Sequence, residues 1–346
     1  MRIRAVVPVA VAAGATAAGA LWIRRIVLPP RPADVATPRS RPIPDPDSRP
    51  SPDGAGLRLA VNPTSGPAWS ANPVDELRRD LPAADVRELG PDDDLVAVLT
   101  EPPLDGVVAI GAAGGDGTLS AAATVAHDHD LVLVAVPSGT LNHLARDLGL
   151  DETADAVAAV RAGTVTHMDL GSVDDEHGVP LRRFVNTLSF GGYTAVVDAR
   201  DAMAPRLGKW LALAVALARE LPRMEPLDLE LDGRRTVVWV GWIGNGTYAP
   251  EGFGPSWRER LDDGELDVRL VLGGPRLART RFVLDVLAGR LLHCPLYREY
   301  RLSAVTIRSH GGPVRLAVDG ETFDGPASFD VTKIRRGLAV AVPPAG

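Results

Sequence analysis

A chain of 346 residues exceeds the roughly 100 to 200 typical of one domain, so two folded units plus terminal segments are expected. Hydrophobic residues at 45% and charged residues at 23% suit a globular protein with large cores and exclude global disorder. The net charge of −7 supplies no summed positive field for a polyanion, which sets nucleic acid aside, and the single cysteine, Cys294, excludes an intrachain disulfide or a cysteine-rich metal site.

From Ala5 to Ile23 the chain runs AVVPVAVAAGATAAGALWI without a charge, close to the ~20 residues that span a bilayer. Residues 1–28 are therefore expected to form a single N-terminal membrane anchor. The arginines that follow it (Arg24, Arg25, Arg31, Arg39, Arg41, Arg49) outnumber Arg2 and Arg4 before it and would keep the rest of the protein on the cytoplasmic side of the cell membrane. The triplet Ala18-Gly19-Ala20 leaves a cleaved export signal open as a second reading, and an extension without a role as a third. Residues 29–56 read as a linker, because Pro29 to Pro52 holds nine prolines in 24 positions and should be a stiff, extended spacer. Order is expected from Leu57.

Three times after Leu57 an apolar run passes into small residues and then into a helical pattern, the rhythm of an α/β domain. LRLAV leads to Asn62-Pro63-Thr64-Ser65-Gly66. GVVAI leads to Gly114-Gly115-Asp116-Gly117-Thr118, and LVLVAV to Pro137-Ser138-Gly139-Thr140, followed by Asn142. Glycines let the backbone approach an anion closely, and the amides of the next helix N-terminus attract it. A lone loop of this kind often does nothing but turn. Three at the carboxyl ends of parallel strands converge on one crevice and favour a nucleotide. Neither lysine, Lys209 or Lys333, lies near these turns, which excludes a P-loop, and GAAGGDGT does not keep the dinucleotide-binding glycine spacing.

Taken together, Asn62-Pro63-x-Ser65-Gly66, Gly114 to Thr118, and Pro137-x-Gly139-Thr140-x-Asn142-x-x-Ala145-x-x-Leu148-Gly149 resemble the diacylglycerol kinase catalytic family, which includes bacterial lipid kinases and ceramide and sphingosine kinases. GGDGT alone is shared with NAD kinases and phosphofructokinases; the P-x-G-T-x-N element separates them. The resemblance runs from Leu57 to about Val342. It implies an N-terminal α/β nucleotide-binding domain over 57–167, with residues 333–346 as a candidate returning strand, followed by an antiparallel β-sandwich over 168–332 that takes the lipid. It also implies ATP and Mg²⁺ as cofactors and a lipid substrate at a membrane; no obligate protein partner is evident in the sequence, which leaves the oligomeric state open. Asn62, Ser65, Gly66, Gly114, Gly115, Asp116, Gly117, Thr118, Gly139, Thr140 and Asn142 are then the candidate ATP-binding residues.

Beyond Gly171 alternating segments such as RRFVNTLSF, RTVVWVGWIGN, LDVRLVL and VRLAVDG read as strands joined by short turns. Two apolar stretches bracketed by basic residues read as helices: Trp210 to Ala218 as a buried helix, with a lipid-facing lid as the alternative, and Leu277 to Leu292 as one packed on the sheet, with a helix lying on an anionic membrane as the alternative. Paired carboxylates around Asp263 occupy a turn that could hold a hard cation through oxygens or could simply be solvated. The resemblance assigns magnesium to the Asp263 side chain with the carbonyls of Arg260 and Glu265. A carboxylate just past strand VRLAV is well placed to accept a hydroxyl proton. In Asp319-Gly320-Glu321 the resemblance makes Glu321 the general base, with Asp319 counted among the candidate metal ligands. Asp116 is expected to hold metal-bound water near the phosphates. The chain departs from the family after GGDGT, where Ser120-Ala121 replaces an Asn-Glu pair. The expected activity is transfer of the γ-phosphoryl group of ATP to a lipid hydroxyl. The rivals are an NAD kinase-like enzyme with a soluble substrate and a catalytically silent lipid- or nucleotide-binding protein.

Overall fold

The computed structural model describes residues 51–63, 65, 73–139, 142–207, 215, 219, 220, 225–249, 251, 257–274, 278, 281, 282, 285 and 290–344. Most of 210–218 and most of 277–292, both expected as helices, lie outside these residues, as do Gly66 and Thr140. The membrane anchor expected over residues 1–28, and with it the placement on the cytoplasmic side of the cell membrane, is corrected. That segment lies outside the described residues, and among the described residues no helix is long and apolar enough to cross a membrane. In the sequence itself, Pro8, Gly14 and Gly19 interrupt the apolar stretch, and its many alanines gain little on leaving water.

Ordered structure starts before Leu57. Residues 51–56 form a turn whose Gly54, at φ 87°, packs against Leu81 and Ala84, while the Asp53 carbonyl accepts the Ala83 amide at 2.9 Å. The first half then alternates strands and helices: β1 (Leu57–Val61), α1 (Val74–Asp80), β2 (Asp85–Glu88), α2 (Leu95–Thr100), β3 (Ala109–Gly114), α3 (Asp116–Asp128), β4 (Val132–Pro137), α4 (His143–Asp147) and α5 (Thr153–Ala162). β2, β1, β3 and β4 lie side by side and parallel. Helices cover both faces of such a sheet, so β1 and β3 are buried at every position and are apolar but for Arg58, which pairs with Asp85 of β2.

The second half is antiparallel. It comprises β5 (Val165–Asp175), β6 (Pro180–Phe184), β7 (Thr187–Gly191), α6 (Gly192–Leu207), β8 (Leu227–Leu231), β9 (Arg234–Asn245), the short pair β10 (Tyr248–Ala249) and β11 (Trp257–Arg258), β12 (Leu266–Leu272), β13 (Tyr297–Leu302), β14 (Ala304–Ser309), β15 (Val314–Val318), β16 (Glu321–Gly325) and β17 (Ser328–Ala341). Its own apolar cluster centres on Phe184, Phe190, Leu316 and Phe329, apart from the core of the first half.

One strand joins the halves. β17 pairs with β14 and β5 through its first part, shifts register between Ile334 and Leu338, and continues beside β5 to meet β4 in parallel at Val340 and Leu133. Arg336, at φ 50°, sits in that irregularity, and its amide donates to Asp169 Oδ1 at 2.7 Å. Such a bulge lets one strand change partners and twist.

The segment RRFVNTLSF, expected as one strand, is two. β6 ends at Phe184 and β7 begins at Thr187, because the amides of Val185, Asn186 and Thr187 are all taken by the Asp319 carboxylate. This short strap, Val185 to Thr187, holds the Asp319 hairpin within the β half, and its Val185 carbonyl accepts from Arg258, whose ion pair with Asp147 reaches the α/β half.

Candidate active site

The GGDGT turn leaves β3 and becomes the first turn of α3, whose N-cap is Gly115 with no side-chain cap. A helix of 13 residues that starts this way aims its first amides, and the positive end of its dipole, outward. Thr118 folds back over Gly114 so closely that a Cβ there would lie 2.4 Å from the Thr118 Cβ.

The third turn lies against the second. A Cβ on Gly139 would come within 2.5 Å of Gly115 Cα, a contact no real Cβ makes. Asn142 adopts left-handed φ and ψ of 49° and 44°, and its Oδ1 accepts the Gly139 amide at 2.8 Å. Asp116 Oδ1 accepts the His143 amide at 2.8 Å and so caps the start of α4 from the neighbouring turn. The first turn joins through Ser65, whose hydroxyl lies 3.0 Å from that of Ser138 and 2.8 Å from the Asn62 carbonyl it bonds. The three turns thus meet at one crevice, and Gly139→Ala must push Gly115 aside. The expected cost of that overpacking is about 1–3 kcal/mol, read as a lower midpoint of chemical denaturation.

Glu321 reaches the same crevice from the β half. Val318 pairs with Glu321 across β15 and β16, and the two residues between them, Asp319 and Gly320, have φ of 47° and 93°. Both positive values mark the two-residue hairpin turn that Asp-Gly favours. The glutamate is exposed, and its Oε1 lies 3.1 Å from where a Cβ on Gly117 would stand. Because Gly117 has none, the carboxylate can close on the first turn of α3.

Asp319 occupies a different environment from its neighbour. Its Oδ1 accepts the amides of Asn186 at 2.9 Å and Thr187 at 2.7 Å; its Oδ2 accepts the Val185 amide at 2.8 Å and the Ser120 hydroxyl at 2.5 Å. A carboxylate offers about four acceptor positions, and all are spent inside the protein. Burial pushes its pKa up, and those four bonds oppose the shift.

The Asp263 turn lies on the other side of the strap. Asp263 accepts the amides of Thr247 at 2.8 Å and Glu265 at 2.9 Å, and the Glu265 carbonyl accepts the Gly246 amide at 3.0 Å. A Cβ on Gly246 would stand 3.6 Å from both Arg260 O and Asp263 Oδ1, so two oxygens converge beside a residue that adds no bulk. One carboxylate and main-chain carbonyls in such a cradle are the kind of oxygens that could hold a hard cation. Lys333 lies close by. Its Nζ is 3.5 Å from Asp169 Oδ2 and 4.0 Å from Asp263 Oδ1, and it donates to Asn245 Oδ1 at 2.6 Å. Burial pulls the ammonium down to about 8 against the pull of the two aspartates.

Asn245 carries this network back to the strap, since its Nδ2 donates to Val185 O at 3.0 Å and to Asp169 O at 2.8 Å. Arg258 completes it. The guanidinium is fully buried, pairs with Asp147 of α4 at 2.7 Å, and donates to Val185 O, Asn245 O and Asn186 Oδ1. Asp169, Asn245, Arg258 and Lys333 stood in no expected motif.

Residues 56–173 match the diacylglycerol kinase catalytic domain. Over 260 residues the chain is 32% identical to a protein of Stenotrophomonas maltophilia (strain K279a) named "Probable lipid kinase YegS-like", covering 68% of this chain and 80% of that one. Over 249 residues it is 27% identical to a diacylglycerol kinase of Mycobacterium tuberculosis (strain ATCC 25618 / H37Rv), covering 69% and 78%. The solved structure of a diacylglycerol kinase from Bacillus anthracis (strain Sterne) superposes with a TM-score of 0.57 at 17% identity, over 83% of this chain and 97% of that one, which shows a shared fold.

Proposed function

The chain belongs to the diacylglycerol kinase catalytic family of lipid kinases, and on that footing we propose that it transfers the γ-phosphoryl group of ATP to the hydroxyl of a lipid, diacylglycerol or a sphingoid base. The observation that carries this reading is the approach of Glu321 to Gly117 at the first turn of α3. A helix N-terminus that attracts phosphate and an open carboxylate that can accept a proton then face the same space.

In this reading the amides of Gly115 to Thr118, with the turns at Ser65 and Gly139, hold the phosphates. Glu321 takes the proton from the lipid hydroxyl as its oxygen attacks the γ-phosphorus, and ADP leaves. Phosphoryl transfer of this type depends on position and charge more than on covalent help from the protein. The turn formed by Asp263 with the carbonyls of Arg260 and Glu265 would hold Mg²⁺, and Mg²⁺ accompanying the nucleotide supplies positive charge against the phosphate oxygens. Asp319, with its acceptor positions filled, is left out of that set. Asp116 shares its carboxylate between the α4 amide it caps and the space in front of the turns, where it can hold water around the nucleotide's cation.

The test is radiolabelled ATP with a total lipid extract to which NAD is added as a competing soluble acceptor. A labelled lipid product supports the reading and identifies the acceptor; label appearing only in a water-soluble dinucleotide would favour the NAD kinase-like alternative, and no transfer at all the silent binding protein. Within the reading, Asp116→Asn keeps an oxygen for the His143 amide but removes the charge. Lower turnover is expected together with a Mg²⁺ activation curve displaced to higher concentration. An unchanged curve would remove Asp116 from the cation's surroundings.

A further inference from the structure

Ser120 stands where many members of the family carry the asparagine of an Asn-Glu pair, and the sequence gives no reason to value it. In the fold it is buried at 8% exposure on the second turn of α3, and its hydroxyl donates to Asp319 Oδ2 at 2.5 Å. The other three bonds to that carboxylate come from the strap, which belongs to the β half. The Ser120 hydroxyl is therefore the direct hydrogen bond by which the helix carrying the phosphate turn grips the tip of the hairpin. Glu321 begins β16 two residues after Asp319, across a tight turn.

We propose that Ser120 is a positioning residue for Glu321. It ties Asp319, and so the hairpin that presents Glu321, to the helix whose N-terminus holds the phosphates. The proposal rests on the reading of Glu321 as the proton acceptor. A hydroxyl donating to a buried carboxylate makes a short, charge-assisted bond, stronger than a neutral one. Removing it leaves Asp319 held by the strap alone, so the hairpin follows the β half and no longer α3. Displacements of ~1 Å between a catalytic group and its substrate cost on the order of 100-fold in rate.

The experiment measures steady-state kinetics of the full chain with ATP and detergent-dispersed diacylglycerol, alongside thermal melting. Ser120→Ala exchanges a hydroxyl for hydrogen within a helix, at a residue type helices favour, so the fold should persist. Turnover is expected to fall about 10- to 100-fold with KM for ATP unchanged, because the phosphate-binding amides are untouched. Ser120→Thr, which keeps a hydroxyl, should restore it. In a Glu321→Gln background Ser120→Ala should cost nothing further, since the group it positions is already gone. Full turnover in Ser120→Ala, a loss carried by KM for ATP, or an undiminished loss in the Glu321→Gln background each overturns the proposal. Failure of the underlying reading is separate: Glu321→Gln alone would then turn over normally.

Discussion

Glu321→Gln is expected to lower turnover by roughly 10²- to 10⁴-fold, about 2.7 to 5.4 kcal/mol of barrier, while leaving ATP affinity nearly unchanged. The substitution keeps the shape of the side chain and the backbone pairing of Val318 with Glu321, so the hairpin and the network behind it remain. What it removes is the ability to accept a proton at the place where Oε1 closes on Gly117. On the proposed reading the nucleotide would be held by main-chain amides of other turns and would not depend on that charge. Steady-state kinetics with dispersed lipid, paired with equilibrium binding of an ATP analogue, separate the two effects. Normal turnover in the variant would sink the assignment. Loss of nucleotide binding with the fold intact would instead place Glu321 among the phosphate contacts.

The parts of this site that were legible in the sequence are those where backbone geometry forces residue type. Gly115 and Gly139 lie too close for a side chain on Gly139, and Asn142 takes the left-handed conformation that asparagine tolerates. These constraints left the glycine-rich turns in plain view. Asp319 is visible through its turn, and its surroundings are not, since its four acceptor positions are filled by Ser120 and the strap. An Asp-Gly pair between alternating strands signals a two-residue hairpin, which is the turn Asp319 and Gly320 form. The strap was not legible, because VNT continues the alternation of its flanks and its amides are diverted by a carboxylate more than 130 residues away. Nor was the role of Arg258: among 35 arginines in a lysine-poor chain, nothing local marks it for burial, any more than it marks Arg58 and Arg269, which are also buried. Contacts between distant segments decide such cases, and composition carries no trace of them.

Asp147→Ala should be the most destabilising single change in this network, by about 3–5 kcal/mol, because it strands the Arg258 guanidinium without its counter-charge in the interior. The side chains of the pair are 0% and 2% exposed, so water cannot take the place of the carboxylate. Three acceptors would remain to Arg258, namely Val185 O, Asn245 O and Asn186 Oδ1, but none carries the compensating charge. The surface pair of Arg235 with Asp228 provides the contrast. Its side chains are 68% and 39% exposed, and Asp228→Ala should cost no more than about 1 kcal/mol. Two further variants separate charge from packing. Asp147→Asn keeps a hydrogen-bond acceptor for Arg258 Nε yet loses the charge, and should still lose much of the stability. Replacing both partners with apolar residues of similar volume removes the stranded charge, and should recover a large part of what Asp147→Ala loses. Denaturant midpoints of the four proteins against the parent give the comparison. If Asp147→Ala unfolds no more readily than Asp228→Ala, the buried pair does not hold α4, and with it the Asn142 turn, against the β half.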